Sequence, residues 1–193
     1  MSIEILSPGL QTTIQDHGRY GFRHMGVPQS GAADLFSYKL ANYLLGQLSN
    51  SAVLECTLAG PRLRFQSDMK IMITGADMQP EVNGNPIEMF MPCEVQIGDE
   101  LVMYACHVGC RSYIAFSKDL VCDYFMGSSS TYLPAKLGGL NGKALSSGDI
   151  IPTTVNKTQK GKPLESSKDF GQDFSNDWVL SALPGPEFYT IDE

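Results

Sequence analysis

Two stretches of the chain concentrate residues able to hold or activate a small polar molecule. The first runs from Gly9 to Gly21 and resumes from Gly26 to Asp34. Its glycines and Pro28 allow sharp backbone excursions. Gln11, Thr13, Gln15, Asp16, Arg19, Ser30 and Asp34 supply donors, acceptors and charge within that short span. Such a loop can cradle an anion or an amide; equally, Asp16, Arg19 and Asp34 can simply tie a long N-terminal excursion to the rest of the fold. The second stretch is Gly127-Ser128-Ser129-Ser130-Thr131. Its N–H groups and hydroxyls can converge on an oxyanion or phosphate if the chain turns there, the alternative being a plain surface loop. Neither stretch is a GxxxxGK phosphate loop or a GxGxxG turn between strand and helix.

Among three histidines, His17, His24 and His107, His17 is the best candidate for a general base because it adjoins Asp16 inside the first loop. Asp16, Arg19 and His17 are therefore the candidate catalytic residues. Gln11, Thr13, Gln15, Ser30, Asp34, Ser128, Ser130 and Thr131 are the candidate substrate-binding ones. The Cys106-His107-x-x-Cys110 cluster invites a metal reading. Paired CxxC units are absent, however, and alternation along Leu101–Cys106 sends neighbouring side chains to opposite faces. No metal site is expected. Five cysteines, an odd number set mostly in apolar runs, suit reduced thiols better than a disulfide framework. Glu55, between Leu54 and Cys56, is expected to turn toward the helix side and pair with Arg19 or Arg111.

The elements that must position these groups are mostly short strands. One helix is expected over Asp34–Leu45, where Phe36, Leu40, Ala41, Leu44 and Leu45 recur at spacings of three and four, with Ser30 or Asp34 as cap and Gly46 as stop. Elsewhere the period is two. Leu63 and Phe65 alternate with arginines, and Met69, Ile71 and Ile73 alternate with Lys70 and Met72, as in half-buried strands. Further strands are expected in Ala52–Thr57, Leu101–Cys106, Arg111–Phe116 and Asp149–Ile151. Turn signals at Asn83-Gly84, Gly98-Asp99, Asn141-Gly142 and Gly148-Asp149 separate them. The pattern predicts a mainly β, barrel-like domain with one principal helix over residues 1–155. A polar linker or loop follows over 156–177, and a last strand, Trp178–Leu183, opens the segment 178–193 with no sequence left in which to find neighbours. That unpaired strand implies association with a partner or a second copy, as a homo-oligomer.

Composition narrows the function classes. A formal net charge of −7, from 14 Lys+Arg against 21 Asp+Glu, gives counterion release the wrong sign for nucleic acid. No apolar run reaches the roughly 18 residues of a membrane span, and the N-terminus lacks a basic and apolar leader pattern. A cytoplasmic protein is expected.

Three ordered motifs carry a family resemblance. GLQTTIQDHGRYGFRHMGVPQSGAADLFSYKLANYLLG (9–46), AVLECTLAGPRLRF (52–65) and ITGADM (73–78) resemble the N-terminal half of the biotin-dependent carboxyltransferase family that includes allophanate hydrolase subunit 2. The likeness resumes at Trp178–Pro186. Its relatives include the carboxyltransferase region of urea amidolyase, the C component of 5-oxoprolinase and the KipI antagonist. The resemblance implies a cyclophilin-like β-barrel, a subunit 1 type (KipI-like) partner and a small amide or lactam substrate. ATP or carboxybiotin would serve in the complete assembly, with neither held by this chain alone. It implies either ATP-dependent lactam opening or carboxyl transfer from carboxybiotin to an amide nitrogen, with the isolated chain inactive; the alternative is a non-catalytic regulatory module like the KipI antagonist. This chain departs from the family in two places. Ser129 stands where members commonly carry Arg, and Phe116-Ser117-Lys118 where they tend to carry Ala-Gly-Gly. Ser cannot replace a guanidinium as a carboxylate clamp. A second barrel-like half, against which the site would close, is also expected of the family. The two polar loops are expected to meet on one face.

Overall fold

Residues 2–7 alternate Ile3 and Ile5 with Glu4 and Leu6, and in the computed structural model, which describes residues 1–155, 177 and 179–188, they form strand β1 (Ser2–Ser7). The strands that follow are β2 (Gln11–Gln15), β3 (Val53–Thr57), β4 (Arg62–Phe65), β5 (Met69–Gly75), β6 (Glu81–Val82), β7 (Asn85–Pro86), β8 (Cys93–Val95), β9 (Glu100–Val102), β10 (Arg111–Phe116), β11 (Lys118–Leu120) and β12 (Ile150–Val155). The helix α1 (Leu35–Leu45) lies between β2 and β3, and single 3-10 turns occur at Arg23–Met25 and Leu133–Ala135. All pairings are antiparallel. The larger sheet has the order β11-β12-β1-β4-β9-β6-β7 and the smaller β2-β3-β10-β5-β8.

Three layers result. Ile3, Ile5, Leu63, Phe65, Leu101 and Ile151 of the larger sheet pack against Ile14, Leu54, Cys56, Ile71, Ile73 and Ile114 of the smaller one. On the other face of the smaller sheet, Tyr38, Ala41, Leu44 and Leu45 of α1 cover Val53, Met72, Tyr113 and Ala115. Burial of each Val, Leu, Ile, Phe or Met side chain among these contributes about 1.5–3 kcal/mol. The helix explains one departure from expectation. Met72 belongs to the polar half of the β5 alternation in the sequence, yet it is buried, because α1 removes the solvent from that face. Central strands covered on both sides read as nearly continuous apolar runs, as β10 does.

The helix forms where expected. Asp34 is its N-cap, accepting from Phe36 N–H and Ser37 N–H at 3.0 Å each, and Gly46 ends it with φ 75°, the left-handed conformation that glycine adopts without strain. Other expectations are corrected. Gln11–Gln15 is not loop but strand β2, paired with β3 from Gln11↔Thr57 to Gln15↔Val53. Only Leu101 and Val102 of the Leu101–Cys106 run are strand, in β9; the rest leaves the sheet after Val102 and keeps a single bridge, Ala59↔Ala105. No strand forms over 179–183, where Val179, Leu180 and Leu183 are exposed, and Trp178 and the polar segment 156–176 lie outside the described residues. A closed barrel is not found: among the described strands the two sheets keep separate margins, β11 and β7 in one and β2 and β8 in the other. No helix among the described residues is long and apolar enough to cross a membrane.

The outer edge of β2 is covered by irregular chain. Thr131 N–H donates to the Ile14 carbonyl at 2.9 Å, and Leu145 N–H donates to that of Thr12 at 2.9 Å. This brings the 127–131 loop to the end of β2 from which the 16–34 excursion departs.

Candidate functional site

The 16–34 excursion folds back on itself through backbone contacts that side chains would block. Arg19 N–H donates to the Gln29 carbonyl at 2.8 Å and Ala32 N–H to that of Asp16 at 2.9 Å. Gly18 and Gly31 have φ of 91° and 94°, and a Cβ on Gly31 would lie 2.9 Å from Gly18 N. Only glycine permits this approach. Residues 16–19 are thereby clamped against 29–32.

At the clamp the two polar loops meet. The Asp16 carboxylate is buried, and its Oδ1 accepts from Gly18 N–H (2.8 Å), Ser128 Oγ (2.6 Å) and Ser130 Oγ (2.5 Å). Its Oδ2 accepts from Ser129 N–H at 2.6 Å. Ser130 Oγ also accepts from Asp16 N–H, and Ser128 Oγ from Ser130 N–H. The convergent donors of the 127–131 loop are thus present, but they enclose the protein's own carboxylate. Asp16 is fitted to hold this knot together.

Arg19 lies beside it, only 1% exposed. Its Nη2 donates to the Ser130 carbonyl at 2.5 Å, while Nε and Nη1 have no partner. Burial lowers its pKa from the ordinary guanidinium value, and the Asp16 charge works the other way. Gln15 Nε2 donates to Thr13 Oγ1 (3.0 Å) and the Thr131 carbonyl (3.2 Å), leaving its Oε1 without a partner. Thr131 Oγ1 donates to the Ile14 carbonyl. His17 stacks on Tyr20, ring centroids 5.8 Å apart, with its Nδ1 buried and unpaired, and Ser30 Oγ is likewise buried without a partner. Donors (Arg19 Nε and Nη1, Ser30 Oγ) and acceptors (Gln15 Oε1, His17 Nδ1) with unmet hydrogen-bonding capacity therefore share one polar junction.

Two sequence candidates do not join it. Gln11 begins β2, five residues of extended chain from Asp16, about 16 Å at roughly 3.3 Å per residue. The Asp34 carboxylate is engaged by the first turn of α1, including Ser37 Oγ at 2.5 Å. A further pair supports the junction from below without having been read as part of it. Glu55 Oε2 accepts from Ala33 N–H (2.8 Å) and the Tyr113 hydroxyl (2.9 Å), and Tyr113 Oη accepts from Asp34 N–H (2.7 Å). Burial, and then the Glu55 charge, push the Tyr113 hydroxyl pKa far above its usual range. Of the two partners expected for Glu55, Arg111 is the one present, its Nε 3.7 Å from Oε1. The alternating pattern through Glu55 gave the side-chain direction, but the tyrosine's role is visible only in the fold.

Ser129, the position for which the family resemblance implies Arg, is half-buried, and its carbonyl accepts from Gly139 N–H. Among the described residues no group of three His, Cys, Asp or Glu side chains converges as metal ligands would. Cavities of about 640 Å³, between Asp77 and Phe90, and about 480 Å³, around Lys70 and Glu94, share no lining residue with the Asp16 junction.

Comparison with known proteins gives this geometry a family. Residues 25–193 match the family described as carboxyltransferase domain, subdomain A and B. The chain is 38% identical over 151 residues to urea amidolyase of Lachancea kluyveri, covering 78% of this chain and 8% of that protein. It is 32% identical over 192 residues to the C component of 5-oxoprolinase from Escherichia coli, covering 98% of this chain and 60% of that one. Its fold superposes on the crystal structure of K. lactis urea amidolyase with a TM-score of 0.85 at 32% identity, over 91% of this chain and 11% of that one. The chain thus spans less than two thirds of each of these relatives. With its two packed antiparallel sheets and its match over residues 25–193, the protein belongs to the carboxyltransferase domain family, in subdomains A and B.

Proposed function

We propose that the chain is a module of a larger amide-handling assembly that moves a carboxyl group from carboxybiotin to an amide nitrogen, as in urea carboxylation. The observation that carries this reading is the set of buried, unpaired polar atoms at Gln15, His17, Arg19 and Ser30. Carboxybiotin, when bound, supplies an activated carboxylate on a ring nitrogen, and the free Nε and Nη1 of Arg19 are the donors on this chain suited to that anion. An unpaired amide oxygen and imidazole nitrogen suit the N–H groups of a urea-like substrate. Asp16 holds Ser128, Ser129 and Ser130 in place, so that the Ser130 carbonyl fixes the guanidinium. Tyr113 and Glu55 fix Ala33 and Asp34, and with them the far side of the clamp.

Phosphate does not fit the 127–131 loop, because Asp16 already engages its donors. We therefore place ATP elsewhere in the assembly and the lactam-opening reaction of 5-oxoprolinase second. The chain has no Ala-Met-Lys-Met sequence, so biotin arrives on another protein or domain. A subunit 1 type (KipI-like) protein is the proposed partner. The cyclophilin-like barrel implied by the resemblance is retained as a flattened form of the two packed sheets.

The self-engaged serine loop and the Ser at 129 favour one competing reading, a non-catalytic binding module resembling the KipI antagonist. One experiment separates them. The chain is combined with a biotinylated carboxylase component and the subunit 1 type protein, and ATP-dependent incorporation of labelled bicarbonate into urea is followed. Urea-dependent turnover that falls at least tenfold in Arg19→Met supports carboxyl transfer. Lactam-dependent ATP hydrolysis without carboxylation supports the 5-oxoprolinase-like reaction. Stable complex formation with no turnover on either substrate supports the binding module.

A further inference from the structure

The β9–β10 connection is closed at its base by one residue. Leu58 N–H donates to the Cys110 carbonyl at 2.8 Å, and Cys106 N–H donates to the Leu58 carbonyl at 2.8 Å. Leu58, with φ 58°, thus ties the backbones of both Cys106 and Cys110 to one residue. The bridge Ala59↔Ala105 and the pair Arg111↔Thr57 fix the chain just outside them. Gly109, with φ 86°, turns the chain between the two cysteines, and its carbonyl lies 3.4 Å from Cys106 Sγ. Both are free thiols, Cys110 exposed and Cys106 half-buried. A disulfide needs Cα atoms about 4.4–6.8 Å apart, and the Gly109 carbonyl that Cys106 Sγ reaches is part of the peptide bond to Cys110.

We propose that Cys106 and Cys110 are a vicinal dithiol that a hydroperoxide converts to an intramolecular disulfide, clipping the β9–β10 loop at Leu58. The remaining cysteines are poor competitors. Cys56 is fully buried, and burial also pushes the thiols of Cys93 and Cys122 above their ordinary pKa, lowering the reactive thiolate fraction. In the first step the Cys110 thiolate attacks one peroxide oxygen. An S–O bond forms and the O–O bond breaks, leaving Cys110 sulfenic acid while the departing oxygen takes up a proton as alcohol or water. In the second, the Cys106 thiolate attacks the sulfenic sulfur. The S–S bond forms, the S–O bond breaks, and hydroxide leaves as water with the thiol proton. Two thiols lose two electrons in total, and the peroxide gains them.

The clip is linked to the junction described above. Cys110 adjoins Arg111, which hydrogen-bonds Thr57 Oγ1 and faces Glu55, and Glu55 holds Ala33 N–H.

The test uses the full, reduced 193-residue chain and hydrogen peroxide, with alkylation and mass spectrometry as readout. Oxidation is expected to remove two of the five thiols, lower the intact mass by two hydrogens and link the Cys106 and Cys110 peptides, all reversed by dithiothreitol. Cys106→Ser is expected to stop at a Cys110 sulfenic acid trapped by dimedone, and Cys110→Ser to give no bridge. Bridges between chains only, a bridge through Cys93 or Cys122, or over-oxidation of Cys110 in the unmodified chain would overturn the proposal.

Discussion

Replacing Asp16 by Asn removes a charge and one acceptor while keeping the shape of the side chain, so it isolates the knot between the two loops. In the less costly orientation the amide oxygen keeps the place of Oδ1, facing Gly18 N–H, Ser128 Oγ and Ser130 Oγ. The amide nitrogen then faces Ser129 N–H, donor against donor, where Oδ2 now accepts at 2.6 Å. The lost charge-assisted bond is worth about 1.5–3 kcal/mol and the stranded buried N–H about 1–3 kcal/mol. Allowing for local relaxation, destabilisation of about 3 kcal/mol is expected, or a fall in Tm of roughly 6–12 °C for a chain of this size. Urea titration and calorimetry measure it. Ser128→Ala breaks the same knot at another atom, so a double-mutant cycle with Asp16→Asn should show coupling of at least about 1 kcal/mol. A Tm within about 2 °C of wild type, or strict additivity in the cycle, would refute the assignment of Asp16 as the structural centre of the junction.

Other consequences are directly measurable. Asp34→Ala removes the N-cap of α1 and should cost about 0.5–2 kcal/mol, read by denaturant midpoint, whereas Asp34→Ser should recover most of it. Tyr113→Phe strands the Asp34 N–H and removes one of the two hydrogen bonds to Glu55 Oε2, and about 1–3 kcal/mol of lost stability is expected. Arg64 and then Arg62 hold the Glu100 carboxyl below its ordinary value of 4.5. A depressed folded-state pKa stabilises above the unfolded value and ceases to do so as pH falls through the folded one. The stability gap between wild type and Glu100→Gln should therefore be present at neutral pH, close on acidification below 4.5, and shrink in high salt. The Cys56 thiol, pushed up to about 12 by burial, should resist iodoacetamide in the native protein and react only on unfolding, so fast native labelling would contradict its placement in the core.

How much of this was legible depended on where the partners of each residue lie along the chain. Helix α1 was readable to its caps because its period, Asp34 and Gly46 fall within one short window. Strands β4, β5 and β10 were readable because each carries apolar residues facing the sheet interface. Strand β2 was not. Its Thr12, Thr13 and Gln15 are buried yet polar, and what satisfies them is a neighbour close by, as Pro8 is for Thr12, or Thr131 from far along the chain. A polar strand whose acceptors arrive from another part of the sequence looks like a loop in any local window. The meeting of the two polar loops was legible from composition, but its polarity was not. The sequence suggested a cradle for a foreign anion, whereas the fold fills it with Asp16. Closure was equally invisible, since alternation specifies which face of a strand is buried but not whether the last strand returns to the first.

The pairing of Ser2 with Pro152 and the docking of Thr131 on Ile14 set an order for biosynthesis. A ribosome releases β1 and β2 first, yet the strand that covers one side of β1 and the chain that covers the edge of β2 are among the last parts of the domain to emerge. Until then the nascent polypeptide carries exposed strand edges and an Asp16 carboxylate without its serines, the state in which unfinished β chains are captured by one another. Arrested chains ending near residue 120 should therefore remain bound to holding chaperones, and release should begin only once β12 has cleared the exit tunnel.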